Sequence, residues 1–239
     1  MINSQIFLLA FLFIASTQVL SAQEPDPYAI IDSTRKILDQ VQDYQADIEI
    51  EVDVEFINMP VKHATIYYKK PDKVKFKSDE FIMLPKRGVS NRITEILEEP
   101  FTAIYIGQEL LNGEQHHVIR IVPMGKNPEV ILATWWINSQ RFLVARNESN
   151  TKKDGQFTVD FKYDDKSIIL PTQMTFSFEV EKLQLPLKFI GKSSGIEIDK
   201  SKMEEAHDGK VYLRFSNYVI NSNYPDDFFE EQTGEDDTN

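Results

Sequence analysis

Two kinds of apolar spacing follow one another along this chain, first helical and then alternating. Asp26-Pro27 is a favourable helix start, and apolar residues at helical spacing follow it, which predicts a helix over Pro27 to Gln42. From Ala46 to Phe56, aliphatic residues then alternate with acidic ones. Because side chains alternate across a strand, this segment predicts a strand with one buried face and one acidic face.

The alternating pattern recurs to the end of the chain and predicts a long antiparallel meander. Asn112-Gly113 is a strong hairpin signal, Ser90 to Glu99 predicts a second, short helix, and Glu181 to Gly209 interrupts the rhythm as a long excursion. The other predicted strands are Val61 to Lys70, Lys73 to Lys77, Thr102 to Leu111, His117 to Val122, Val130 to Ile137, Phe142 to Arg146, Phe157 to Tyr163, Met174 to Val180 and Lys210 to Val219.

Such a sheet has one apolar face that must be covered by closure, by a second sheet or by helices. A curved sheet that the two helices cover incompletely leaves an apolar cavity suited to an acyl chain. A fully packed core without a cavity fits the pattern equally well. From strand alternation, the side chains expected to line the cavity are Ile50, Val52, Val54, Ile66, Tyr68, Phe76, Phe161, Phe176 and Phe178.

The N-terminus predicts export. Ile6 to Ala15 is an unbroken apolar run, and small residues at Ser21 and Ala22 suit a signal peptidase, so residues 1–22 are predicted to be a signal peptide. A short uncleaved anchor is the alternative. The chain contains no Cys, which excludes disulfides, thiolate zinc sites and cysteine nucleophiles and suits a periplasmic location.

The net charge of the chain indicates which kinds of partner it can bind. The chain carries 38 acidic and 26 basic residues, a net charge of −12, and seven acids but no bases lie between Asp226 and Asp237. We therefore expect one domain over residues 23–229, a disordered acidic tail over residues 230–239, and no nucleic-acid partner. The acidic face of Ala46 to Phe56 and the lysines of Lys73 to Lys77 are expected to complement each other across the sheet.

The sequence contains no catalytic or metal-binding motif in the context that such a motif requires. Gly191 to Gly195 matches the string of a nucleophile elbow, but no strand-turn-helix context surrounds it. The four His residues do not have metal-ligand spacing, and His116 and His117 point to opposite faces of a regular strand. We therefore expect no enzyme, no metal site and no cofactor.

Five short stretches of the chain are informative together with the order of the elements. They are Tyr44-Gln45-Ala46, the stretch from Tyr68 to Lys75, Leu111-Asn112-Gly113, Trp136-Ile137-Asn138 and Phe215 to Tyr218. With these stretches, the order of elements resembles the LolA-like superfamily of periplasmic lipoprotein carriers and its RseB-type relatives. The resemblance covers most of residues 28–229, and its motifs are loose.

The resemblance implies an α+β fold, an open, strongly bent antiparallel half-barrel with the helices as a lid over an apolar cavity. It also implies a non-enzymatic carrier that binds an acyl chain, a lipoprotein or another lipid, with outer-membrane lipoprotein sorting as one such role. The alternative is a periplasmic regulatory or scaffold module that binds an envelope protein through the excursion or the acidic tail. The excursion and the tail depart from the carrier pattern.

Overall fold

The computed structural model describes residues 24–78, 96–97, 99–153, 155–164, 169–179, 195–199, 201–202 and 208–230. The predicted signal peptide, most of the second helix, most of the excursion and the tail after Glu230 lie outside the described residues. Within the described part, no helix has the length and apolar character needed to cross a bilayer.

Helix α1 (Pro27–Leu38) begins where the sequence predicts. The Asp26 side chain accepts a hydrogen bond from the Tyr28 backbone N–H at 2.9 Å, and Pro27 occupies the first turn, where no backbone donor is needed. The helix ends four residues before the predicted Gln42. Its last turn tightens, since the Gln40 N–H bonds to the carbonyl of Ile37 rather than to residue 36.

Twelve strands follow α1 in the described part, all paired antiparallel. Their bounds are β1 (Asp43–Val54), β2 (Ile57–Asn58), β3 (Lys62–Lys69), β4 (Lys73–Lys77), β5 (Phe101–Leu111), β6 (Glu114–Pro123), β7 (Val130–Asn138), β8 (Val144–Thr151), β9 (Gln156–Lys162), β10 (Gln173–Glu179), β11 (Glu197–Ile198) and β12 (Asp208–Ile220).

These strands form one open sheet. From one edge the order is β5, β6, β7, β8, β9, β10, β12 and β1; beyond β1 lie β3 and β4 at one end of the strand and β2 and β11 at the other. No pairing between the described parts of β4 and β5 closes the sheet into a barrel. The α+β class and the open, curved half-barrel are therefore confirmed.

One local feature of the sheet agrees with the sequence prediction, and another differs from it. Asn112 and Gly113 have φ of 54° and 83° and form the predicted two-residue hairpin between β5 and β6. Strand β8 begins at Val144 rather than at Phe142 and continues to Thr151, well past the predicted end at Arg146. Its second half contains no apolar residue, so the hydrophobic pattern could not reveal it.

Helix α1 lies on one side of the sheet, which we call the inner face; the opposite side is the outer face. Three clusters of buried apolar side chains are distinguished. The first, beneath α1, contains Ile30, Ile31, Ile96, Leu97, Ala103, Ile119, Ile121, Ala133, Trp135, Ile137 and Val144. The second contains Ala46, Ile48, Ile50, Ile66, Leu213 and Phe215. The third, at the end of the sheet near β2 and β11, contains Val54, Phe56, Ile57 and Ile196.

The chain beyond β12 is tied to the outer face. The buried Asp43 carboxylate accepts hydrogen bonds from the backbone N–H groups of Ser222 (2.7 Å) and Asn223 (2.9 Å). The Phe228 ring then packs on Tyr67, with 4.9 Å between the ring centroids. This short segment therefore covers part of β3 and β4 from the outside.

The expected charge complementarity takes a different form. Instead of binding the lysines of β4, Glu49 and Glu51 of β1 both accept hydrogen bonds from Arg214 of β12, each at 2.6 Å. Lys73 of β4 instead binds the C-terminal segment, where it forms an ion pair with Asp226 at 3.0 Å. Lys69 of the neighbouring strand β3 binds the same carboxylate. These hydrogen bonds lower the pKa of Asp226.

Candidate functional site

The strand register places all nine predicted lining residues on the inner face. In an antiparallel sheet, directly opposed residues project to the same side. Opposed residues form rows that run across β1, β12, β10 and β9. Shorter rows run across β3 and β4. The rows are Ile50–Leu213–Met174–Phe161, Val52–Val211–Phe176, Val54–Gly209–Phe178, Ile66–Phe76 and Tyr68–Val74.

The same nine side chains do not form a single cluster. Ile50, Val54, Ile66 and Tyr68 are buried, and the other five are half-buried. Four of the nine, Ile50, Ile66, Phe76 and Phe176, lie in or against the second cluster, whereas Val52, Val54 and Phe178 belong with the third and Phe161 packs against the first. Tyr68 contacts the Tyr44 ring at a centroid distance of 5.2 Å. The structure thus spreads the predicted residues along the face.

Several members of the face were absent from the predicted set. Val74, Met174 and Val211 are half-buried and pack against the second cluster in the same rows. Met174 and Val74 lie within predicted strands with the correct alternation, so the pattern already contained their signal. Together with Phe76 and Phe176 they flank the buried centre of the second cluster, with β4 on one side and β10 and β12 on the other.

Gly209 determines how closely the third cluster packs. An added Cβ at this position would lie 2.6 Å from Cε2 of Phe178 and 2.9 Å from Cγ2 of Val54. Because such separations are far below van der Waals contact, only glycine allows the Phe178 ring to lie against β12. The residue is thus a packing position, since its φ is not in the left-handed region.

Tyrosines border the second cluster where β1, β3 and β12 meet. The Tyr218 hydroxyl donates to the carbonyl of Pro171 at 2.6 Å, and the Tyr68 hydroxyl donates to the carbonyl of Pro71 at 3.1 Å. Burial raises the pKa of Tyr44 and of Tyr218. The phenols of Tyr44 and Tyr218 therefore stay protonated well above neutral pH, which suits the border of an apolar surface.

The inner face also contains polar groups that the sequence patterns missed. Asn147 and Ser149 on β8 are buried beside the first cluster, and the Ser149 hydroxyl donates to Oδ1 of Asn147 at 3.0 Å. Within the described residues, the indole N–H of Trp135 and the hydroxyl of Thr34 have no hydrogen-bond partner, although both side chains are 0 % exposed. An unsatisfied buried donor costs about 1–3 kcal/mol, so each of these two groups lowers the stability of the fold as long as it has no acceptor.

The outer face offers a different surface. A concavity of about 600 Å³ lies between β1, β3 and β12, and its charged or titratable lining residues are Asp47, Glu49, His63, Lys77 and Arg214. Hydrogen bonds from Arg214 to Glu51 and Glu49 raise the pKa of the guanidinium. The described residues contain no group of three His, Asp or Glu side chains placed to hold a metal ion. The mixed charges suit a solvated surface better than an acyl chain.

No family model matches the chain, and no curated protein matches it. Solved structures do resemble it. A DUF1329 family protein from Desulfovibrio piger superposes with a TM-score of 0.51 at 16% identity, covering 87% of this chain and 98% of that one. The chain has a LolA/RseB-like fold. At this level of identity, the likeness shows the fold alone.

Two further structures resemble the chain more loosely. A LolA superfamily protein from Nitrosomonas europaea matches at 11% identity with a TM-score of 0.49, covering 87% of this chain and 98% of that one. A protein described as a putative outer membrane lipoprotein-sorting protein domain, from Vibrio parahaemolyticus, matches at 12% identity with a TM-score of 0.48, covering 85% and 97%. The fold expected from the sequence resemblance is confirmed.

Proposed function

We propose that this protein is a non-enzymatic periplasmic carrier that binds an acyl chain of a lipid or lipoprotein on the inner face of its sheet. The observation that carries the proposal is a set of half-buried apolar side chains that flank the buried centre of the second cluster on the inner face. They are Val74 and Phe76 on one side and Met174, Phe176 and Val211 on the other. Sorting of outer-membrane lipoproteins is the specific role that the sequence resemblance suggests.

The physical basis of binding is burial of hydrocarbon. Each methylene of an acyl chain that leaves water contributes about 0.8 kcal/mol, and the half-buried side chains lose their remaining exposure at the same time. Tyr68 and Tyr218, which border the surface, donate their hydroxyls to backbone carbonyls, which leaves their rings as contact surface. No covalent step is needed for uptake or release.

The supporting experiment begins with the full chain, expressed with its own leader and purified from the exported fraction. Native mass spectrometry gives the mass of the protein and of anything bound to it, and solvent extraction followed by lipid analysis identifies the ligand. We expect cleavage after Ala22 and a bound acyl species near one per chain. A lipid-free mass, together with no uptake of a fluorescent fatty acid, would overturn the carrier function and favour a module that binds an envelope protein.

Neighbouring positions on β10 provide a matched pair of variants. Phe176 projects to the inner face and Thr175 to the outer face, and both are half-buried. We expect Phe176→Glu to abolish lipid uptake and Thr175→Glu to preserve it. Circular dichroism and a thermal melt establish that each variant is folded, and the uncharged polar variant Phe176→Gln replaces Phe176→Glu if the charge prevents folding. Equal uptake by all of these variants would place the ligand elsewhere.

A further inference from the structure

Two adjacent tryptophans on β7 have opposite hydrogen-bonding states. The Trp136 indole N–H lies on the outer face and donates to Oε2 of Glu109 at 2.8 Å. Trp135 lies on the inner face, fully buried in the first cluster, and its indole N–H has no partner among the described residues. Buried tryptophan N–H groups usually find an acceptor, so Trp135 is the exception that needs a cause.

The groups around Trp135 form a small polar stripe, which we define as Thr34, Trp135, Asn147 and Ser149. The register opposes Trp135 to Asn147 and Ala133 to Ser149, so these side chains are immediate neighbours on the inner face. Thr34 is on the buried side of α1, one turn from Ile30 and Ile31, which pack in the same cluster as Trp135. A second unpartnered hydroxyl therefore faces the sheet from the helix.

The chemistry of the polar stripe selects a class of ligand group. All four side chains are uncharged, so the stripe suits a neutral group rather than a carboxylate or a phosphate. The indole offers only a donor, and the oxygen of the Asn147 amide already accepts from Ser149, which leaves the amide N–H group to donate. An uncharged acceptor oxygen is what the Trp135 indole N–H and the Thr34 hydroxyl lack.

We propose that the polar stripe binds the carbonyl oxygen of an acyl ester or acyl amide, with the indole N–H of Trp135 as its principal donor. This inference rests on the proposed carrier function and specifies its ligand. Phe161 connects the two regions, because it packs against the first cluster and is opposed in the register to Met174, which packs against the second. The hydrocarbon chain lies along the second cluster, and its carbonyl reaches the stripe.

Entry of the carbonyl requires α1 to shift, because Ile30 and Ile31 cover the cluster. The helix is joined to neighbouring backbone by polar contacts. The Ala103 N–H donates to the Tyr28 hydroxyl at 3.2 Å, and the Arg35 guanidinium donates to the Leu97 carbonyl at 2.9 Å. Such exposed or half-buried bonds exchange readily with water, so they permit the helix to move.

The test compares two ligands that differ only in the carbonyl. Monomyristoylglycerol carries an ester, and its 1-O-tetradecyl ether has the same head group and chain length without the carbonyl. Dissociation constants are measured for the full chain, below the micelle concentration of each lipid. We expect the wild-type protein to bind the ester about tenfold more tightly, the change that one satisfied buried donor produces. Trp135→Phe should reduce this ratio to about one, whereas Trp136→Phe should preserve it.

A second readout follows the indole directly. The chain contains two tryptophans, so ¹⁵N-indole labelling gives two N–H signals, and Trp136→Phe assigns them. The ester should shift the Trp135 signal downfield, and the ether should not. Thr34→Val provides an independent variant that leaves both indoles intact and is expected to lower the ester preference.

The outcomes separate the two proposals. If the wild-type protein binds both lipids equally, or if Trp135→Phe keeps the ester preference, the polar stripe is not a carbonyl site although the carrier function stands. If neither lipid binds, both proposals fail. A loss of thermal stability in Trp135→Phe without a change in the ratio would assign the indole N–H a purely structural role and would overturn the inference.

Discussion

The two faces of this sheet are built from the same strands yet serve different purposes. On the inner face, the rows that cross β1, β12, β10 and β9 are almost entirely apolar, and one of them reaches the first cluster at Phe161. On the outer face, neighbouring positions of the same strands carry ion pairs, such as Arg146 with Asp160 at 2.6 Å and Arg214 with Glu49. Binding and stability should therefore reside on the inner face, and solubility on the outer one.

This comparison also separates two kinds of inner surface. Among the described residues, the first cluster is covered by a helix and has eleven buried side chains with six partly buried ones packed against them, whereas the second has only six buried and nine partly buried side chains. A packed cluster contributes to folding whether or not a ligand is present. A half-buried apolar surface gains most when something covers it, so the hydrocarbon of a ligand should bind at the second cluster, whereas the first cluster contributes mainly to stability.

The largest expected effect is the loss of stability when a buried side chain of the first cluster is truncated. Ile121 is 0 % exposed, and its neighbour Arg120 is exposed on the outer face of the same strand. We expect Ile121→Ala to lower the free energy of unfolding by about 2–5 kcal/mol because it leaves a cavity. Arg120→Ala should change it by less than about 0.5 kcal/mol. Urea unfolding followed by circular dichroism measures both, and equal effects would contradict the division between the faces.

Much of the fold was predictable because the period of the apolar residues carries it. The switch from helical to alternating spacing located α1 and most strands, and the turn at Asn112-Gly113 had its own signal. The lining residues could be assigned to one face for the same reason. A strand that crosses this sheet has to present one side to the core, and that requirement is visible in the sequence.

The remainder was hidden because no local pattern encodes it. The polar half of β8 has no apolar alternation, so neither that part of the strand nor the buried Asn147 and Ser149 could be found. The end of α1 depends on a hydrogen-bond switch in its last turn rather than on a stop residue. The partners of Glu49 and Glu51 depend on the long-range pairing of β1 with β12, which spacing along the chain cannot fix.

A loss of stability of intermediate size is expected at the close contact in the third cluster, also on the inner face. Gly209→Ala places a methyl group against the Phe178 ring and should lower the free energy of unfolding by about 1–3 kcal/mol through overpacking. Adding Phe178→Leu, which shortens the opposing side chain, should recover part of that loss. A double-mutant cycle by urea unfolding measures the coupling. Purely additive effects would show that the contact between Gly209 and Phe178 does not limit packing.

The smallest effect is expected on the outer face, although its ion pair looks strong. Arg214 binds Glu49 and Glu51 at 2.6 Å each, but all three side chains are 38–42% exposed, so water screens their attraction. We expect Arg214→Met, which preserves the aliphatic stem, to lower the free energy of unfolding by no more than about 1 kcal/mol.

The salt dependence of that loss tests its electrostatic origin. Screening by salt weakens exposed charge pairs, so the difference between wild type and Arg214→Met should shrink in 1 M NaCl. The loss from Ile121→Ala should persist there, because it reflects lost packing rather than charge. An Arg214→Met loss that exceeds about 2 kcal/mol and is unchanged by salt would mean that the outer face supports the fold as firmly as the inner face does.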